Sequence, residues 1–345
     1  MTQKRENMVR MPSLEELQKI YNTLQDNTSK DIYAHLLLYR LLGRKEAMTK
    51  IIYDYNPDAA LWRSEKICFY GAGKGANWLV RNNSNVRFVI DKYKTGVIEG
   101  IPIISLDTFL QFPDCKEYLL LLTQGDNLLP DAEAELDTLG LRHVSVYHDI
   151  LPRHFDQIQY FDLPQLNLRK QDEYFVDAGA FDGANSKNFF RHCEQGHSYV
   201  FEPNPEQFAA VKEALQEYGD HVELFPYALG DGNVTLNFDN RHKYATNSRI
   251  AEIGQVKVPV RRLDDVLAGR KVTFIKMDLE GAEMSALRGA ERIIREQRPK
   301  LAICIYHKPE DMWEIPSLIL RYDPSYQFYV RHYSITFGET VLYAI

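Results

Sequence analysis

The run Asp278-Leu279-Glu280-Gly281-Ala282-Glu283 sets three carboxylates between an apolar stretch, Val272-Thr273-Phe274-Ile275-Lys276-Met277, and a helical pattern through Met284, Leu287, Ile293 and Ile294. A strand that ends in acids and turns into a helix puts negative charge where α/β sheets bind ligands. Upstream, Tyr174-Phe175-Val176-Asp177-Ala178-Gly179-Ala180-Phe181-Asp182-Gly183 joins a strand-end acid to Gly179 and Gly183. Glycines there let a ligand approach the backbone, and the next helix offers unpaired N–H groups. Between the two turns lies Tyr199-Val200-Phe201-Glu202-Pro203. Glu202 at a strand end can accept hydrogen bonds from both hydroxyls of a ribose, while Pro203-Asn204-Pro205 stops the strand and opens a helix. An acid, a Gly-rich turn and a second acid one βα unit later are the usual grip on a nucleoside cofactor. Taken singly, each is also what a capped turn contains, since acids in a helix's first turn offset its dipole and cap its N–H groups.

These residues need a sheet to hold them. From residue 173 onward, strands are predicted near 174–178, 198–202, 222–226, 256–262, 273–278, 300–306, 326–333 and 340–345. Helices are predicted near 184–192, 205–218, 284–297 and 310–321. The connection Ser334 to Glu339 is too short for a crossover helix, so the last two strands must form an antiparallel pair. Residues 65–150 alternate strand and helix on their own. Lys66-Ile67-Cys68-Phe69-Tyr70 leads into Gly71-Ala72-Gly73-Lys74-Gly75-Ala76, and Val86 to Ile90 closes at Asp91. That order is similar to a dinucleotide fingerprint with an imperfect third small position, and it predicts a small doubly wound domain. No catalytic Tyr/Lys or Cys set follows the Gly-rich turn. A scaffold that keeps the turn without nicotinamide chemistry is therefore the preferred reading, with a nucleotide or nucleotide-sugar still open. Residues 1–64 read as helices, with Ser13-Leu14-Glu15-Glu16 as a capping box, and are a candidate oligomer contact. Residues 151–172, with Pro152 and Pro164, read as a linker.

Composition narrows the classes of function. At 345 residues the chain exceeds one ordinary core, which predicts two domains and an extension. A net charge of −7 argues against a nucleic-acid partner, which needs a basic face. No apolar run approaches a membrane span, and the charged start Met1-Thr2-Gln3-Lys4-Arg5-Glu6 lacks the apolar segment of a signal peptide. Cys68, Cys115, Cys193 and Cys304 are scattered without metal-ligand spacing, which suits free thiols in a reducing compartment. The expected localisation is cytoplasmic.

Residues 174–345 resemble the methyltransferase domain of the FkbM family. The resemblance rests on Val176-Asp177-Ala178-Gly179-Ala180, Phe201-Glu202-Pro203, Ala228-Leu229-Gly230, Leu263-Asp264, Ile275 to Glu283, and Leu287-Arg288-Gly289-Ala290. Further matches are Tyr306-His307, Arg331-His332-Tyr333 and Glu339 to Tyr343. It covers half the chain, and Lys276 to Glu283 is its most specific block. It implies an α/β fold: a class I, Rossmann-like methyltransferase domain at 173–345 with a C-terminal antiparallel hairpin, beside the smaller Rossmann-like domain and the helical extension. It implies S-adenosylmethionine as cofactor and methyl transfer to a hydroxyl of a sugar, glycan or related natural product.

Mapped by position, the resemblance sets Asp177 and Gly179 toward the methionine end of the cofactor and Glu202 at the ribose, with Phe181 and Pro203 also expected among the cofactor-binding residues. Ala228, between Tyr227 and Leu229, falls at the adenine edge, and Asp278 falls beside the reactive methyl group. Glu280 is expected to orient the acceptor or help hold a divalent cation, although no metal-ligand set is assigned. A hydroxyl is a poor nucleophile, so transfer calls for a general base or a metal. His307, one strand over from the acids, is the first candidate for the base, and His332 reads as structural. The polar segment Asp239 to Arg249 is expected to cover the acceptor pocket. Two rivals stand beside this reading: a nucleotide or nucleotide-sugar enzyme run by residues 65–150, and a non-catalytic binding protein.

Overall fold

A computed structural model describes residues 10–345 apart from 59, 61–65, 84, 126, 155–157, 240–248 and 251–255. By contacts the chain divides into two compact units, one of Met1–Lys30, Tyr160–Val330 and Val341–Ile345, the other of Asp31–Gln159 and Arg331–Thr340.

In the second unit, short apolar runs bounded by turn residues form β1 (Lys66–Tyr70), β2 (Val89–Ile90), β3 (Gly96–Ile98), β4 (Ile101–Ile104), β5 (Tyr118–Leu122) and β6 (Arg142–Ser145). They lie in the order β3-β4-β2-β1-β5-β6, parallel except for the β3–β4 pair. That hairpin was not anticipated from the sequence. Its two-residue connection sets Glu99 at φ 49° and Gly100 at φ 84°, the left-handed pair that matches the twist of adjoining strands. The switch point falls between β1 and β5, at the Gly71 turn.

The first unit carries β7 (Gln171–Ala178), β8 (Gln195–Phe201), β9 (Val222–Phe225), β10 (Ala228–Leu229), β11 (Val234–Asp239), β12 (Arg249–Ile250), β13 (Val256–Arg261), β14 (Phe274–Met277), β15 (Lys300–Cys304), β16 (Phe328–His332) and β17 (Thr340–Ala344). Its main sheet has the order β16-β17-β15-β14-β7-β8-β9. The strands β15, β14, β7, β8 and β9 are parallel, and β17 runs antiparallel to β15. The expected parallel sheet with a terminal antiparallel pair is therefore present, and the fold is α/β. A second small sheet, β10-β13-β11-β12, is an addition the sequence reading missed, because β11 and β12 flank an irregular polar run.

Strands covered on both faces need unbroken apolar residues, as in Phe274, Ile275 and Met277, all fully buried. Phe175 anchors the core, with ring centroids 4.8 Å from Phe189 and 5.1 Å from Phe274. From β7 the chain moves through β8 to β9 on one side, and later through β14 to β15 on the other. The crevice outside β7 and β14 is thus the topological switch point, the place where such sheets take ligands.

Candidate functional site

Lys276 is the anomaly that organises the first turn. A lysine in a doubly covered strand needs a buried partner, and β14 pairs with β7 so that Lys276 lies in register with Asp177. Its Nζ donates to Asp177 Oδ1 at 3.1 Å and to the Gly179 carbonyl at 2.7 Å. Burial alone would push this lysine down, but the Asp177 and Asp278 carboxylates outweigh it and hold its pKa above the ordinary value. Asp177 differs from its expected place. Its side chain is wholly buried, with Oδ2 accepting from Ser186 Oγ at 2.7 Å, so it braces the turn from beneath and does not face the crevice.

Above that pair the backbone closes on itself. Gly179 has φ 82°, and a Cβ there would lie 2.0 Å from the Asp278 carbonyl oxygen, so only glycine allows the two strand-end turns to meet. Phe181 follows in the left-handed region at φ 55°, a conformation that costs a non-glycine residue energy and collects at functional turns. Its N–H donates to Glu202 Oε2 at 3.0 Å, and the Asn204 N–H donates to Oε1 at 2.8 Å. Asn204, just after Pro203, in turn caps the helix Pro205–Ala214 by accepting from the Glu206 N–H at 3.0 Å. Burial pushes the Glu202 carboxyl up to about 7 despite those two backbone donors. Each oxygen keeps a lone pair for a further donor. Ala228 lies in β10 with its methyl group among Val258 and Val260, which leaves its backbone as the edge it can offer.

The second turn gathers a polar cluster. Asp278 Oδ2 accepts from the Tyr160 hydroxyl at 2.9 Å and Oδ1 from the Tyr306 hydroxyl at 3.3 Å. His307, just past β15, brings Nε2 to 3.5 Å from Asp278 Oδ1 and 3.7 Å from Glu280 Oε2. Its nearer neighbour is Glu283, whose Oε1 stands 2.8 Å from Nδ1. Glu283 is fully buried, and the same oxygen accepts from the Leu279 N–H at 2.7 Å and the Gly281 N–H at 3.4 Å. Glu280, at φ 52°, projects from a strained position in the loop. Burial pushes the His307 imidazole down, but Glu283, Asp278 and Glu280 more than offset this and raise it to about 9. The residue expected as the base is therefore an imidazolium at neutral pH in this setting, and it must lose a proton before it can take one. His332, expected as structural, is buried in the other unit with Nδ1 2.9 Å from Thr340 Oγ1.

Several members of the site escaped the sequence reading. Tyr160 lies in the span read as a linker and carries no local signal. Glu283 passes for a helix-capping acid, and Ser186 for an ordinary helix residue. Lys276 could have been found, because a lone charge inside an apolar parallel strand demands a partner. Of the expected lid, Asp239 to Arg249, residues 240–248 lie outside the described residues, while its ends Asp239 and Arg249 pair across β11 and β12.

The upstream Gly-rich turn of the other unit looks inward. Asp91, where a ribose acceptor would be needed, receives the N–H groups of Ala72 at 2.6 Å, Tyr93 at 2.8 Å and Lys94 at 2.8 Å. Burial raises its pKa, and those donors outweigh that to hold it below the ordinary value. A Cβ at Gly75 would meet the Tyr147 hydroxyl at 2.3 Å, so packing already accounts for that glycine.

Comparison with known proteins agrees with the architecture. Residues 177–330 match the family described as Methyltransferase FkbM domain. A protein named Methyltransferase 1 from Beauveria bassiana is 30% identical over 147 residues, which make up 35% of this chain and 59% of that protein. The chain thus spans less than two thirds of that relative. The crystal structure of methyltransferase FkbM from Methylobacillus flagellatus is similar with a TM-score of 0.51 and 21% identity, covering 88% of this chain and 98% of that one. The fold is that of the class I methyltransferases. Among the described residues, no helix is long and apolar enough to cross a membrane.

Proposed function

We propose that this chain, which carries an FkbM methyltransferase domain at residues 177–330, transfers the methyl group of S-adenosylmethionine to a hydroxyl of a sugar, glycan or related natural product. What supports the cofactor part is the topological switch point outside β7 and β14, with Glu202 just past the end of β8 held by the Phe181 and Asn204 N–H groups. In this reading Glu202 accepts from the ribose hydroxyls, the backbone from Gly179 to Phe181 lies along the methionine portion, and the Ala228 backbone edges the adenine. Asp177 and Lys276 set the shape of the turn and touch no ligand.

The chemistry falls to the β14 edge. The acceptor oxygen attacks the methyl carbon in line with sulfur, a C–O bond forms, and the C–S electron pair returns to sulfur to give S-adenosylhomocysteine. The hydroxyl proton must leave as this happens. Asp278, oriented by Tyr160 and Tyr306 and a quarter exposed on its side chain, is the group positioned to hold that hydroxyl and receive its proton. Glu280 orients the acceptor from the loop.

The test is methyl transfer from isotopically labelled S-adenosylmethionine to a panel of monosaccharides, glycans and hydroxylated natural products. Label should appear on an oxygen of at least one acceptor, and Asp278→Asn should lose it while S-adenosylhomocysteine affinity is retained. Label found only on nitrogen or carbon would refute the hydroxyl assignment.

A further inference from the structure

We propose that Asp278, Glu283 and His307 form a site for a first-row divalent cation of the Mn²⁺ type. Three elements bring them together: the end of β14, the first position of the helix Glu283–Gly289, and the turn after β15. One potential ligand atom from each lies within 4.8 Å of the others. Donors on a single ion with bonds of roughly 2.0–2.3 Å sit about 3–4.5 Å apart, so a contraction of a few tenths of an ångström completes the set.

The second observation is a set of polar atoms without hydrogen-bond partners. Glu283 Oε2 and both ring nitrogens of His307 are buried and make no hydrogen bond of good geometry; the closest approach, His307 Nδ1 to Glu283 Oε1 at 2.8 Å, is an ion pair between two of the proposed ligands, with their side chains 10% and 0% exposed. Buried polar atoms of this kind normally have a partner, and leaving them bare is costly. A cation coordinated by Glu283 Oε2 and one imidazole nitrogen partners two of these three atoms and leaves the other ring nitrogen to a neighbouring carboxylate. The surroundings are those of a built site: Tyr160 and Tyr306 hold Asp278, and the Leu279 and Gly281 N–H groups hold Glu283 Oε1.

One imidazole with two carboxylates suits Mn²⁺ or a neighbouring transition ion, and it suits Ca²⁺ poorly, because Ca²⁺ takes six to eight oxygens. Three protein donors leave coordination positions open to the crevice. Resting on the methyl-transfer reading, the use of the ion is to bind the acceptor hydroxyl and lower its pKa, which removes the need for a free base at His307. Glu283, and not Glu280, is then the second carboxylate ligand.

Titration of the full chain with Mn²⁺, following the free-ion electron paramagnetic resonance signal, tests the site without any acceptor. One ion should bind per chain, and Asp278→Asn and His307→Gln should each weaken it at least about tenfold. Glu283 also supports the turn, so its substitution is not relied on. No saturable binding to the wild-type chain would leave a proton as the cluster's cation and overturn the proposal, as would binding that both substitutions leave unchanged. Calorimetry with S-adenosylhomocysteine on the same samples separates the two readings. Mn²⁺ binding without that ligand keeps the site and sinks the methyltransferase reading, and the reverse result sinks the site alone.

Discussion

Replacing Lys276 by methionine keeps the length of the stem and removes only the charge, which makes it a clean probe of how the cofactor turn is held. The ammonium group donates to Asp177 and to the Gly179 carbonyl and lies 5.4 Å from the centre of the Tyr160 ring, all in the interior. Without it, Asp177 keeps the Ser186 hydroxyl but loses its counter-charge, and the Gly179 carbonyl loses its donor. Breaking one partner of a buried ion pair costs roughly 3–5 kcal/mol, a large share of the roughly 5–15 kcal/mol that stabilises a typical domain. Neutralising both partners in Lys276→Met/Asp177→Asn should recover at least about 1 kcal/mol relative to the single change, because no bare carboxylate remains. Hydrogen exchange of the β7 and β14 amides reads this locally in a two-unit protein, with urea unfolding as the global check. Protection of those strands within about 1 kcal/mol of wild type in Lys276→Met would refute the argument. So would a double variant no better than the single one.

The other predictions concern ligands and turnover. Glu202→Ala should weaken S-adenosylhomocysteine binding by about 1.5–3 kcal/mol, the range for hydrogen bonds to a charged group, as read by calorimetry. With the Glu202 carboxyl raised to about 7, cofactor affinity should climb as pH rises through that value and the carboxylate forms. The same raised pKa acts on stability in the opposite sense: the contribution is full below the unfolded value near 4.3 and is lost as pH rises through about 7. Denaturant titrations across that window, comparing wild type with Glu202→Gln, check the sign. Asp278→Ala should slow methyl transfer by about 10²–10⁴-fold, the range for a general base, with cofactor affinity nearly constant, and full turnover would remove it from the site. The Gly71 turn should support no nicotinamide-dependent turnover, and activity with NAD(P) abolished by Gly73→Val would overturn that reading.

The framework of the seven-stranded sheet was legible because its strands are unbroken apolar runs closed by acids, glycines and prolines at fixed places. Asp177, Glu202 and Asp278 stand at or beside strand ends for that reason. What the sequence hid was direction and depth. Asp177 lies inside β7, level with Val200 of β8, and is sealed under the turn by Lys276, while Glu202 stands just past the end of β8 and is held by the Phe181 and Asn204 N–H groups. That difference depends on cross-strand register, which no local pattern carries. Tyr160 reaches Asp278 across more than a hundred positions of chain, and Glu283, at 2.8 Å, comes nearer to His307 than Glu280 does at 3.7 Å. The small sheet around β11 and the β3–β4 hairpin were missed for a plainer reason. Their strands are short and half-exposed, so alternation is too brief to register.

The most direct test of the central claim is calorimetric titration of the full chain with S-adenosylhomocysteine, run beside Glu202→Ala and Gly73→Val. A Cβ at Gly73 would meet no atom within 4 Å among the described residues beyond its chain neighbours, so this position has room for a side chain and its substitution probes the upstream turn. One saturable site should appear in the wild type, weakened by Glu202→Ala and unchanged by Gly73→Val. No binding by the wild-type chain, or binding that survives Glu202→Ala and vanishes in Gly73→Val, would contradict the account.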